Sequence, residues 1–360
     1  MTNQEFDLFV PGRLCLFGEH SDWAGGYRRI DAKIHKGYCI IVGTNQGIHA
    51  KVKAHPSKLV IKSTLPDGKV LGPHEIDMEP QTLLRIAEEG GFYSYTAGVA
   101  YYVLCHYNVK GLIIDSYCMD LPIRKGLSSS AANNVLVARA FNKLYDLKLT
   151  TRGEMEIAYQ GEIITPSRCG RMDQACAYGG TPVHMIFDGD KLEIEEIYPP
   201  KEIYMVIADL KAGKDTQKIL ADLNACYPAS GGKIGTDVRY YLGPVNKDIV
   251  SRARSILQKG DASQIGSMMT ESQRFFDLFM APACPEELLS PKLHFVLSSP
   301  ELAPFIFGGK GVGSQGDGCA QFVARGKKEQ QQLIEQLEEM ELEAYPLTIA
   351  AQVPPNSKNK

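Results

Sequence analysis

Short apolar runs dominate the start of the chain, and longer helix-spaced runs take over after about residue 200. Residues 6–10 predict a strand that stops at Pro11-Gly12, and 13–17 resume the extended pattern. Runs at 39–42, 48–52, 58–62 and 111–117 predict further strands, while 83–89 and 95–106 predict helices. After three serines at 128–130, apolar residues recur at 132, 136, 140 and 144 and again at 131, 135 and 138. That spacing makes one wide apolar face and predicts a helix reaching about Leu147. A second helix is expected over 154–164, and a strand over 203–208. Helices at 248–258 and 265–278 follow, then a strand at 320–324. A helix with Leu333, Ile334, Leu337 and Met340 on one face leads into a final strand around 345–350. The change of texture places a domain boundary near 200, giving domains over 1–200 and 201–353 and a frayed tail over 354–360.

Composition narrows the class. The 360 residues are 44% hydrophobic and 22% charged, as expected of a globular protein with ample core. A formal net charge of −3 gives no case for a nucleic-acid partner. No apolar run approaches the ~18 residues of a membrane span, so no membrane partner is expected. Nine cysteines, odd in number and without a CxxC pair, read as reduced thiols. With an N-terminus lacking the order of a signal peptide, they point to the cytoplasm. A monomer or a homodimer is the expected assembly.

Three stretches could carry chemistry. Gly126, Leu127, Ser128, Ser129, Ser130 and Ala131 lead from a Pro- and Gly-marked loop into the predicted helix. Backbone N–H groups, small hydroxyls and the positive helix end make an anion site there, with phosphate as its usual occupant. A capped helix after a polar loop accounts for the same residues without a ligand. Glu162 ends the next helix, and Asp173 lies on the loop after it. Two such acids can converge, one holding a divalent cation together with Ser130 and the other accepting a proton; each could equally be a solvated surface charge. Near the N-terminus, Glu19, His20 and Asp22 follow Arg13. Two acids and a histidine within four residues suit hydrogen bonds to vicinal hydroxyls, although a polar turn would use the same residues. Gly311, Gly313 and Gly316 spell GxGxxG, but a strand-like segment follows where a dinucleotide site needs a helix.

In order along the chain, these motifs resemble those of the GHMP kinases, the family of galactokinase, homoserine, mevalonate and phosphomevalonate kinases. Residues 11–26 look like its first motif, 122–132 like its phosphate loop in a galactokinase-type form, and 308–318 stand in place of its third. Gly170-Arg-Met-Asp-Gln174 is similar to the segment carrying the family's catalytic aspartate. The resemblance implies a two-domain α+β fold, with an N-terminal ribosomal-protein-S5-like domain and a C-terminal ferredoxin-like domain. It also implies ATP and Mg2+ as cofactors. By position, Asp173 and Arg13 take the catalytic roles, and Ser130 and Glu162 the magnesium. Residues 126–131 take the ATP phosphates, while Glu19, His20, Asp22 and Gly170 take the substrate. Asp22 favours a sugar, phosphorylated at its anomeric hydroxyl. Trp23-Ala24 and the polar third motif, with Lys310, Ser314, Gln315 and Asp317, depart from the galactokinase pattern and leave the choice of sugar open. The alternatives are a kinase of a non-sugar alcohol such as mevalonate, and a sugar- and ATP-binding regulator without activity.

Overall fold

Pro11-Gly12, expected to end the first strand, lies inside it. The strand runs unbroken over Glu5–Phe17, because Pro11 forfeits only its own N–H and Arg13 N still donates to Leu127 O at 2.9 Å. The runs at 39–42 and 48–52 likewise belong to a single strand, Gly37–His55. The computed structural model describes residues 4–121, 126–167 and 169–354; positions 122–125 of the phosphate-loop motif, Arg168 and the tail from 355 lie outside these. Two units divide the chain, one of residues 1–13 and 43–179, the other of 14–42 and 180–360. This grouping differs from a linear division at 200 in two ways: it breaks after Gly179, and it gives residues 14–42 to the C-terminal half.

In the first unit, Lys58–Thr64 lies parallel to Gly111–Met119 and antiparallel to Val70–Asp77. Gly111–Met119 also pairs antiparallel with residues 48–55. The registers Ile61↔Ile114 and Val52↔Ile114 line up a row of buried apolar side chains on one face. Helices Ser94–His106, Ser129–Tyr145 and Thr151–Ile163 pack against one another. Ser129–Tyr145 is buried on most of its circumference, which explains its two apolar series. Two glycines set the closest approach: a Cβ on Gly98 would collide with Gly161 O, and one on Gly161 would come within 2.6 Å of Val99 N. Close crossing there brings the next residue, Glu162, into the interior.

In the second unit, residues 37–41 pair with Val183–Asp188, which forms a hairpin with Lys191–Glu196. A separate four-stranded sheet has the order Glu343–Ile349, Ile203–Asp209, Cys319–Ala324, Ile306–Gly311, all antiparallel. Numbered along the chain, that is fourth, first, third, second, the order of the expected ferredoxin-like domain. Val206, Ala208, Phe322, Leu333 and Leu337 form its core beneath helix Lys327–Glu339. Among the described residues no helix is long and apolar enough to cross a membrane.

Candidate active site

The first unit gathers most of the expected phosphate-handling residues. Helix Ser129–Tyr145 begins after Ser128, which sits at φ 56 and makes no side-chain cap. Its first ladder bond runs from Ala132 N to Ser128 O, so the preceding N–H groups lie outside the ladder and face the mouth of the helix. The serine hydroxyls are not spent on capping, as a capped-helix reading would have them. Ser130 Oγ donates instead to Glu162 Oε1 at 3.1 Å.

Glu162 is fully buried, and three further donors hold it. Asn134 Nδ2 and Gln174 Nε2 each reach Oε2 at 2.8 Å, and Ser167 Oγ lies 3.5 Å from Oε1. Burial and the charge of Asp173 push its carboxyl above the usual carboxylate range, against the pull of Gln174, Asn134 and Ser130. Asn134 Oδ1 and Gln174 Oε1 are buried beside it without a hydrogen-bond partner. A carboxylate, a hydroxyl and two orphaned amide oxygens form the hard-oxygen donor set that suits a magnesium ion.

Asp173 opens the short 3-10 helix Asp173–Tyr178 and forms an ion pair with Arg13 Nη2. The two differ in access: the Arg13 side chain is 8% exposed and that of Asp173 25%. The arginine is therefore a buried brace for a carboxylate that solvent can reach. Arg13 Nη1 also approaches Gly126 O at 3.5 Å, which ties the brace to the phosphate loop. Gly170 is half-buried on the loop before Asp173. Arg171 turns away to Glu156, 3.1 Å distant, and lies over the Tyr159 ring.

The second unit holds Glu19, His20 and Asp22. Gly18, at φ 86 and with Tyr38 O against its Cα, makes a turn open only to glycine; His20 follows at φ 66. Glu19 and His20 are thereby driven inward and buried, while Asp22 is half-buried in the first turn of Ser21–Gly26. Glu19 pairs with Lys310 Nζ, a partner that sequence reasoning noticed only as a departure from the family pattern. Trp23 Nε1–H donates to His20 Nδ1 at 3.2 Å, and Phe276 stacks on the ring at 6.1 Å. Burial lowers the His20 pKa to about 4, with the backbone of Ser314 opposing and Lys214 and Lys310 adding to the effect. The polar third motif is a hairpin loop: Asp317 Oδ1 accepts from Leu293 N at 2.8 Å, and Lys214 Nζ donates to Gln315 O at 2.8 Å. Asn134, Gln174 and Lys310 are the residues sequence reasoning did not assign; their signal was a polar side chain in otherwise apolar or glycine-rich surroundings.

Comparison with known proteins bears on the family and the fold. Residues 94–180 match the model of the GHMP kinases N terminal domain. A galactokinase of Pyrococcus furiosus is 28% identical over 205 residues, 55% of this chain, and the match spans about half of that relative's length (51%). A galactokinase of Thermococcus kodakarensis is 26% identical over 292 residues, covering 74% of this chain and 76% of the relative. Among solved structures, Lactococcus lactis galactokinase complexed with galactose superposes with a TM-score of 0.71 at 17% identity, covering 98% of this chain and 95% of its own. Methanococcus jannaschii mevalonate kinase does so with 0.71 at 15%, covering 98% and 100%. The chain thus carries a GHMP kinase N-terminal domain over residues 94–180 and, along nearly its whole length, the two-domain α+β GHMP kinase fold.

Proposed function

We propose that this chain is a small-molecule kinase that transfers the γ-phosphoryl group of ATP to a sugar, at the anomeric hydroxyl. The observation that carries the reading is the Asp173–Arg13 pair, a reachable carboxylate braced by a buried guanidinium that also touches the phosphate loop. In the step, the sugar oxygen forms a bond to the γ-phosphorus, the bond from that phosphorus to the bridging oxygen breaks, and ADP leaves. The hydroxyl proton passes to Asp173. Arg13 keeps the aspartate oriented and offsets charge on the transferring group. Backbone N–H groups at residues 126–131 and the dipole of helix Ser129–Tyr145 hold the phosphates. Glu162 and Ser130 would hold a magnesium ion, which when bound neutralises phosphate charge. Glu19, His20 and Asp22 are assigned to the sugar hydroxyls.

A second reading has one observation in its favour: the mevalonate kinase structure matches the fold as well as the galactokinase does, with a TM-score of 0.71. The test is a coupled ADP-release assay over free aldoses, uronic acids, heptoses and mevalonate. Turnover with an aldose supports the proposal, and turnover with mevalonate alone replaces it. Tight nucleotide binding with no ADP release from any acceptor would instead identify a regulator.

A further inference from the structure

We propose that Lys310 is a positioning residue that presents one oxygen of Glu19 to a hydroxyl of a polyhydroxylated acceptor; the inference rests on the sugar-kinase reading above. Strands Ile306–Gly311 and Cys319–Ala324 pair with Lys310 directly opposite Gln321, so both side chains leave the sheet on one face. Gln321 Nε2 donates to Cys15 O at 2.9 Å and to Gly311 O at 3.1 Å. Lys310 Nζ donates to Glu19 Oε1 and, at 3.2 Å, to Gly311 O. Two neighbouring side chains thus anchor the segment that bears Glu19, one by its backbone and one by the carboxylate itself.

Both members of the Lys310–Glu19 pair are only 1% exposed. Removing two charges from water carries a large desolvation penalty, and an apolar pair of similar volume is often at least as stable. What the pair supplies beyond stability is orientation. With Oε1 taken by Lys310, Oε2 of Glu19 is buried and has no hydrogen-bond partner. Such an acceptor is costly until a donor arrives, and a ligand hydroxyl is a donor of the right kind. The charge balance also bears on the group that meets Oε2. Lys310 cancels the charge of Glu19, and two of the lysine's N–H bonds are already directed at Glu19 and Gly311. His20 has its Nδ1 occupied by the Trp23 N–H, which leaves the proton of its neutral ring on Nε2. A ligand carboxylate would bring its own negative charge to the lone pairs of Oε2, whereas a neutral hydroxyl meets an acceptor that lacks a donor. The group that meets Oε2 is therefore a hydroxyl and not a carboxylate.

The test compares wild type with Lys310→Met, Lys310→Arg and the double variant Glu19→Gln/Lys310→Met. Sugar and ATP kinetics are measured with the best aldose of the panel. Binding of D-galactose is followed by fluorescence of Trp23, the chain's one tryptophan. Lys310→Met should raise the sugar KM about tenfold or more with ATP KM and kcat within about twofold, and Lys310→Arg should recover most of the loss. The double variant leaves no unpaired buried charge, so it keeps the weakened sugar binding measurable should Lys310→Met fail to fold. Unchanged sugar affinity in the variants or parallel rises in the sugar and ATP KM would each overturn the proposal. Those results leave the kinase reading standing; wild type that neither binds nor turns over any sugar brings down both.

Discussion

At the level of single residues, Asp173 carries the sharpest expectation. Asp173→Asn keeps the shape of the side chain but cannot take a proton, so turnover should fall by about 10²–10⁴ while nucleotide binding and folding persist. Near-wild-type ADP release from that variant would remove Asp173 from the mechanism. His20 gives a pH prediction. Its proton binds near the usual 6.5 in the unfolded chain and near about 4 in the folded one, so between these values the unfolded state holds more protons. Stability then rises with pH through that window and is lost as pH falls from 6.5 toward 4, by about 3 kcal/mol for this one group. Urea unfolding at pH 7, 5 and 4 should show a shallower acid loss in His20→Asn than in wild type. Arg13, Ser130, Glu162 and Asp173 were legible in the sequence because each stands in a local motif with a definite chemical use. Lys310 was not assigned, because its partner Glu19 is 291 positions away and only the fold shows that the two meet.

Elements with a regular apolar period were readable, and those without one were not. Helix Ser129–Tyr145 announced itself by two interleaved apolar series. Strand Val70–Asp77 is exposed at all but a few positions, with Ile76 its one buried residue, so no alternation marks it. Strand Ile306–Gly311 is half glycine and carries no apolar alternation, yet it pairs in register with Cys319–Ala324. The contact between helices Ser94–His106 and Thr151–Ile163 was equally hidden, since two isolated glycines have no period. It is open to test. Gly161→Ala forces a methyl group against Val99 and should destabilise the protein by about 1–3 kcal/mol in denaturant unfolding. An unchanged midpoint would show that the crossing can open enough to admit a methyl group at no cost.

On the scale of the whole molecule, the texture change near 200 pointed to two domains but gave no hint that residues 14–42 group with the C-terminal half. Periodicity reports what an element is, not which distant element it joins. A fragment of residues 180–360 should therefore fail to fold cooperatively. It would lack the Glu19 partner of buried Lys310, the Cys15 carbonyl bound by Gln321, and the strand that pairs with Val183–Asp188. Circular dichroism during urea titration checks this: a sharp transition in the fragment would show that residues 14–42 are dispensable.

That grouping also sets an order in time. Residues 14–42 leave the ribosome well before their partners from 180 onward, which are made only after the whole intervening unit. At roughly 5–20 residues per second, the wait is on the order of ten seconds to a minute. During it, a stretch containing Phe17, Cys39, Ile40 and Ile41, all buried in the finished protein, lacks its partners from 180 onward. A segment made early thus waits for partners made late, and during that wait a chaperone could shield it.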